Sequence, residues 1–457
     1  MSTIDHSLRA ISYNLGGATE DYELLLASFF TEINEYQREN WDVIAGGGLG
    51  ENLAELKQKK NELYLSLFLL QKICADSNNS DIQKQLATLY KECRGEGSSL
   101  LKAVQSLIKS NEAIQAKIEA EKIKLLDQAL QSDVGLKNNF EESTKGWTEA
   151  DRLQAKKAMV AGENYKGVSL FNSSEVLVRE LCKNLRDTAE KNAFRHVGDA
   201  DILFLQEVGD PSRSSMTSLV NNFSIIKFGK MDDGCDTTIA LSKDRFTDVE
   251  NYSCKIPEGS GRSQDCAICV ATDKNTQKRY CFVSAHIRGF AYSATEQELK
   301  RQAQDGDVFC QNLLAELNNI ERKELARGRH IDVTVIGSDV NASPEKYKER
   351  FSLFTKKDFS VQRTGSPTNV HFMDKNDKIR EIDYFFTRIH KPKKSFLKRI
   401  FSSKPKDTVS ISARSFTPFG FDMENNMSDH KPIEAKIIVK TQENAPRPSW
   451  FKRIFRS

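Results

Sequence analysis

Apolar residues follow three textures along this chain. Ala10 to Leu15 is a short, nearly continuous apolar run of the kind a buried strand makes, and Glu20 to Gln37 then spaces Leu24, Leu25, Ala27, Phe29 and Ile33 at helical intervals. From Glu51 to about Gln131 the chain is rich in Glu, Lys, Gln, Leu and Ala and has no proline. There Leu63, Leu67, Leu70 and Cys74 share one helical face, and Leu100, Val104, Leu107, Ile114, Ile118 and Leu125 keep a near-heptad register. With turns at Asp76 to Ser80 and Gly95 to Ser98, this predicts an antiparallel helical hairpin or short coiled-coil bundle. Asn111 and Glu121 fall on heptad positions and argue against one long coil. Further helices are predicted at Thr148 to Ala161 and Ser174 to Phe194.

After Gly198 the pattern changes to short β-rich runs: Ile202 to Leu205, Ser224 to Phe228, Thr238 to Ser242, Cys266 to Ala271, Arg279 to Ala285, Asp332 to Ile336, Glu381 to Thr387 and Glu434 to Val439. One long helix, Thr295 to Arg327, interrupts them. Runs joined by hairpin-like turns such as Asp273 to Gln277 predict two mainly antiparallel sheets packed face to face, with helices outside. The expected organisation is a sandwich domain over residues 1–45 and 198–440, and a helical insertion over 46–197. A basic loop at 391–406 and a basic aromatic tail at 441–457 complete it.

The 457-residue length supports one large core with an appendage. Lys and Arg number 67 against 64 Asp and Glu, a net charge of +3, which excludes a protein that coats nucleic acid by bulk charge. Nine scattered cysteines do not make a disulfide framework, and Cys266 and Cys269 have no second pair at zinc-ribbon spacing, so they read as buried small hydrophobes. Gly46, Gly47, Gly48 and Gly50 lack a following Lys-Ser/Thr and read as a hinge, not a phosphate loop. MSTIDHSLRAISYNL has no basic-then-apolar leader, and Leu63 to Ile73 is too short to cross a bilayer. A cytoplasmic protein, or one delivered by a leaderless route, is expected, with peripheral membrane association left open.

Polar residues at the ends of the apolar runs carry the candidate chemistry. They are Asn14 in ISYNL, Glu207 in ILFLQEV, His286 in FVSAHIRG, Asp339 and Asn341 in VIGSDVNASP, Asp383 in REIDYFF, and Asp429 with His430 in MSDHKP. A core does not tolerate such groups unpaired, so they belong at a sheet rim. A phosphodiester is shielded by its own charge, and its hydrolysis calls for a cation on the phosphoryl oxygens and a base on the attacking water. Glu207 offers a hard oxygen ligand, and an Asp beside a His fixes the tautomer that leaves the second ring nitrogen free.

Taken in order, this series resembles the endonuclease/exonuclease/phosphatase superfamily, which includes pancreatic deoxyribonuclease, apurinic-site endonucleases, sphingomyelinases and inositol polyphosphate phosphatases. The resemblance covers roughly residues 8–40 and 198–440. It implies a four-layered α/β sandwich and a Mg²⁺ site at Asn14, Glu207 and Asp429, with Mn²⁺ or Ca²⁺ as substitutes. It further implies His430 as general base with Asp383 as its partner, Asp339 and Asn341 holding the attacking water and a phosphoryl oxygen, and His286 stabilising the transition state. Arg262 and Arg288 are candidate phosphate clamps. The family has Gly-Asp-x-Asn where this chain inserts Ser338 between Gly337 and Asp339, either as a bulge or as a register shift.

The tryptophan and the Pro-x-Trp-Cys-Asp-Arg run of inositol polyphosphate phosphatases are missing, and REIDYFF looks like a nuclease strand, so a nucleic-acid phosphodiesterase is the first reading. The second is a lipid-directed phosphodiesterase or phosphatase, because SFLKRIFSS at 395–403 is nearly repeated as SWFKRIFRS at 449–457. Such segments, within 391–406 and 445–457, suit an anionic membrane or stacked bases. The third is a catalytically silent protein that docks a partner through its helical insertion.

Overall fold

A computed structural model describes residues 3–15, scattered positions between 58 and 88, and then 97–170, 173–197, 199–209, 219–227, 235–287, 296–345, 347–366, 368, 381–390, 408–415, 430 and 432–442. The predicted helix at 20–37, the glycine hinge at 46–50, the turn at 76–80 and the basic loop at 391–406 lie outside these residues, as does the tail from 443. The chain divides into two compact units, residues 1–20 with 189–457 and residues 21–188.

The first unit is built on two sheets. Its strands are β1 (Thr3–Asn14), β2 (Ile202–Gly209), β3 (Phe223–Lys227), β4 (Cys235–Ser242), β5 (Phe246–Asn251), β6 (Cys254–Pro257), β7 (Ser263–Asp273), β8 (Arg279–His286), β9 (Val333–Asp339), β10 (Ser360–Gln362), β11 (Asp383–Ile389), β12 (Thr408–Ser415) and β13 (Ile433–Gln442). One sheet has the order β12-β13-β1-β2-β4-β3 and the other β10-β11-β9-β8-β7-β5, with β6 also paired to β7. Each contains one parallel pair, β1 with β2 and β8 with β9, and is otherwise antiparallel. The connection between β1 and β2 holds the whole second unit.

Alternation along each strand divides the apolar residues between two faces. Leu8, Ala10, Ile202, Phe204, Phe282, Val335, Phe385, Ile433 and Ala435 fill the space between the sheets. Ile11, Tyr13, Leu203 and Leu205 face outward, packed with Phe194 and Val197 from the end of the helix Ser173–Val197. On the other side Ile268, Val283 and Ile336 meet Phe309, Leu313 and Leu317 of the helix Glu296–Ala326 and Phe351 and Phe354 of the helix Lys348–Thr355. The result is helix, sheet, sheet and helix in four layers. Each fully buried Leu, Ile or Phe contributes about 1.5–3 kcal/mol. Cys266 and Cys269, three apart on β7, enter different clusters as buried small side chains.

Between the sheets, Phe204 presses on Gly337, where a Cβ would meet its Cγ at 2.6 Å. Its ring packs edge-on against Phe282 and Phe385 at centroid distances of 6.1 and 5.9 Å. β9 pairs without interruption from Val333 to Asp339 with both neighbours, so the residue inserted at Ser338 causes no register break there.

The second unit is helical, numbered here α1 (Gly97–Lys109), α2 (Glu112–Ser132), α3 (Val134–Ser143) and α4 (Glu149–Ala161), and it ends within the helix Ser173–Val197, whose residues from Ala189 belong to the first unit. The near-heptad run from Leu100 to Leu125 is not one helix. Asn111 ends it by capping α2, its side chain accepting from the Ile114 amide at 3.1 Å. The predicted turn at Gly95 to Ser98 gives way to helix from Gly97. Thr148 caps α4 in the same way, and Lys156 and Lys157 bridge to Asp127 and Glu119 of α2 at 2.6 and 2.9 Å. No helix among the described residues is long and apolar enough to cross a membrane.

Candidate active site

The site forms at the seam between the sheets, where β1, β2, β8 and β9 end and β11 begins. Asn14 closes β1 with its side chain fully buried. Its Nδ2 donates to Glu207 Oε1 and Asp339 Oδ2, both at 2.9 Å, and lies 3.4 Å from His430 Nε2. One amide therefore touches groups from β2, β9 and the segment before β13.

Glu207 reaches this seam because β2 is irregular. Ile202 and Phe204 point between the sheets and Leu203 and Leu205 point outward. Strict alternation therefore turns Gln206 inward and Glu207 outward. The pairing with β4 shifts between Gln206 and Gly209, where two residues of β2 stand against one of β4, and Glu207 takes a left-handed φ of 48°. This bulge directs two consecutive side chains to the same side, a use bulges often have beside active sites. A left-handed glutamate costs about 1–3 kcal/mol, recovered through its contacts with Asn14 and with His286 Nε2, 3.4 Å away.

Pairing in the second sheet brings His286 and Asp383 opposite Asp339 from its two sides. Asp339 is fully buried, and its Oδ2 lies 3.7 Å from both His286 Nε2 and His430 Nε2. Burial pushes its carboxyl up to about 7; Asp383 and Glu207 push in the same direction, while His430 and His286 oppose them. Asn341 does not continue the extended strand. The strand ends at Asp339, Asn341 takes a φ of 51°, and its backbone amide donates to Asp339 Oδ1 at 2.8 Å. This Asx turn swings Asn341 Nδ2 to 2.9 Å from Asp339 Oδ2 and 3.2 Å from His286 Nε2.

His430 is 4 % exposed, with Nδ1 2.9 Å from Asp383 Oδ2. Two triads have ligand atoms within 4.8 Å of one another, Glu207, His286 and Asp339 in one and Asp339, Asp383 and His430 in the other. Asp339, expected with Asn341 to hold the attacking water and a phosphoryl oxygen, thus stands in both. A fully buried carboxylate facing two others is the donor set that a divalent cation relieves, with hard oxygens suited to magnesium.

Arg262 is exposed just before β7, at the strand end that by the pairing of Ala267 with Ser284 is also the His286 end. Asp429 and Arg288 lie outside the described residues. Sequence reasoning missed three supports. The Thr368 hydroxyl oxygen accepts from the Ile382 and Asp383 amides at 3.0 and 3.1 Å. The buried Arg350 guanidinium donates to the Val340 carbonyl at 2.9 Å, inside the Asp339–Asn341 turn. Gln206 lies directly beneath the seam.

No protein-family model matches the sequence, and no curated protein matches it significantly. Among solved structures it is similar to the human Nocturnin catalytic domain with bound sulfate (16% identity, 55% of this chain, 86% of that chain, TM-score 0.36). It is also similar to Danio rerio TDP2 humanised by 14 mutations (15%, 56% of this chain, 92% of that chain, TM-score 0.36). A third is a mannosyl-6-phosphatase of Bacteroides thetaiotaomicron (15%, 55% of this chain, 90% of that chain, TM-score 0.37). A fourth is described as the endonuclease/exonuclease/phosphatase from Bacteroides vulgatus (17%, 55% of this chain, 89% of that chain, TM-score 0.35).

Proposed function

We propose that this chain is a divalent-cation-dependent hydrolase of phosphate esters, with nucleic-acid phosphodiesters as its substrate class. The observation that carries the reading is the convergence of Asn14, Glu207, His286, Asp339, Asp383 and His430, drawn from the whole length of the sandwich unit, on one pocket of hydrogen-bonding distances. Buried carboxylates this close together destabilise a fold that has no use for them.

Glu207 and Asp339 would hold the cation, with Asn14 alongside and Asp429 as a further ligand. Magnesium is the metal proposed, with manganese or calcium able to replace it. Such a cation neutralises the phosphoryl oxygens and lowers the charge barrier to attack. The chain's own groups do the rest. Asp383 accepts a hydrogen bond from the His430 Nδ1–H, so Nε2 is the free base that takes a proton from water. The turn at Asp339–Asn341 orients that water, and His286, 3.4 Å from Glu207, faces the charge that develops on phosphorus oxygens.

The strand REIDYFF, without the tryptophan-rich signatures of inositol polyphosphate phosphatases, favours nucleic acid. The duplicated basic-aromatic segments at 395–403 and 449–457 favour the second reading, a lipid-directed esterase at an anionic membrane. Plasmid DNA, RNA, phosphoinositides and sphingomyelin, each offered with and without Mg²⁺ to wild type and His430→Ala, separate the two. Cation-dependent cleavage of DNA or RNA that His430→Ala loses is the expected result. Headgroup release with nucleic acid intact transfers the reading to lipids, and no hydrolysis of any ester overturns it.

A further inference from the structure

The candidate site is split between two sheets. Asn14 and Glu207 belong to one, His286, Asp339 and Asp383 to the other, so every distance across the seam depends on how the sheets are held. Apolar packing between them, by Phe204, Phe282 and Phe385, is dense but has little directionality. One layer below the site there is a polar tie.

Gln206 is fully buried, and its Nε2 lies 3.0 Å from Ser284 Oγ, 3.2 Å from Ser12 Oγ and 3.3 Å from the Gly337 carbonyl oxygen. Ser284 in turn donates to the Leu205 carbonyl at 2.9 Å, returning to the first sheet. Ser12, Ser284 and Gly337 each stand two residues before a site residue, Asn14, His286 and Asp339, and Ser284 and Gly337 are paired in register. Period-two alternation sets each of them on the same face as its site residue, one step deeper. Gly337 is also where Phe204 leaves no room for a Cβ.

Buried amides and hydroxyls of this kind carry a desolvation penalty and hold one geometry when every partner is met. We infer that Gln206 is a positioning residue, which through Ser12, Ser284 and the Gly337 carbonyl fixes the first sheet against the second and so sets the spacing of Asn14 and Glu207 from Asp339 and His286. The inference rests on the proposed cation site, and it assigns Gln206 no contact with substrate.

The test uses the full chain and Mn²⁺ as the probe. Gln206→Met keeps the volume and removes the hydrogen bonds. It should weaken Mn²⁺ binding about 10-fold by calorimetric titration and lower kcat about 10- to 100-fold with KM unchanged. Ser284→Ala, which removes one anchor, should move both in the same direction by less, and it decides the matter if Gln206→Met does not fold. Thr237→Val is the control, since its hydroxyl makes a different tie between the sheets, to the Asp265 carbonyl and the Ala267 amide at 3.2 and 2.9 Å. It should lower the melting temperature and leave Mn²⁺ affinity and kcat as they are. Unchanged Mn²⁺ affinity and kcat in Gln206→Met and Ser284→Ala, or losses no different from those of Thr237→Val, overturn the inference while leaving the proposed function standing. Weakened Mn²⁺ binding in a protein that hydrolyses no phosphate ester supports the inference and removes the function. A wild type that binds no Mn²⁺ overturns both.

Discussion

His430 turns Nδ1 to Asp383 Oδ2 at 2.9 Å and Nε2 toward Asn14 and Asp339, at 3.4 and 3.7 Å. The carboxylate therefore selects the tautomer whose free nitrogen faces the seam. Asp383→Asn removes the charge that holds this tautomer and places an NH2 that can donate to Nδ1 in competition with the oxygen that accepts from it, so the ring's proton is no longer fixed. The expected outcome is a fall in kcat of about 10²- to 10⁴-fold with the fold intact. Steady-state kinetics beside a circular dichroism melt would check it; full activity removes His430 as base.

Asp339 links acidity to cation binding. Burial raises its carboxyl from 3.8 to about 7, so across that window the cation-free native state keeps a proton that the unfolded chain has lost. The stability contribution of this group therefore falls as pH rises through the window. A bound cation needs the carboxylate, so affinity should climb with pH and level off above about 7, with proton release on binding. Calorimetry in two buffers of different ionisation enthalpy reads this directly, and pH-independent binding would contradict it. Melting curves are less selective, because His390, held down at about 3 by burial and by Arg388, contributes the opposite slope below its ordinary value.

Gly337→Ala should destabilise the sandwich unit. The added Cβ would lie 2.6 Å from a Phe204 ring held by Phe282 and Phe385, so the ring cannot yield without moving its neighbours. Overpacking of this kind costs about 1–3 kcal/mol. Urea unfolding is the measurement, and a midpoint equal to wild type would show that the seam is looser than these contacts.

Glu324 is fully buried within a polar cluster that includes Arg279, at the opposite end of β8 from His286. Its carboxylate accepts from Arg279 Nε at 2.7 Å, Tyr252 at 2.6 Å and Arg329 at 2.7 Å. Glu324→Ala leaves the buried Arg279 guanidinium without this partner and should cost about 3–5 kcal/mol. Activity per folded molecule at low temperature should be unchanged, which separates a scaffold defect from a chemical one.

The strands facing the inter-sheet core were legible because their apolar alternation is strong, as in ILFLQEV and YCFVSAH. β5, β6, β10 and β12 were not, since FTDVEN, CKIP, SVQ and TVSISARS dilute the apolar signal with polar residues on edge or outlying strands. The site residues were legible as polar groups ending apolar runs. How Glu207 and Asn341 arrive there was not, because both use a left-handed backbone that the apolar alternation of the strands they follow does not signal. The floor under the site was hidden for another reason. Ser12, Gln206 and Ser284 look like ordinary strand polarity until the sheets are stacked.

β1 lies between β2 and β13 in its sheet, so the earliest strand is flanked by one that follows the entire helical unit and by the last strand described. During synthesis, Asn14 leaves the ribosome long before its neighbours Glu207, Asp339 and His430 exist. Folding of the sandwich is thus a long-range event in which β1 must wait unpaired until β2 and β13 have been made, and the seam is complete only once His430 has joined it.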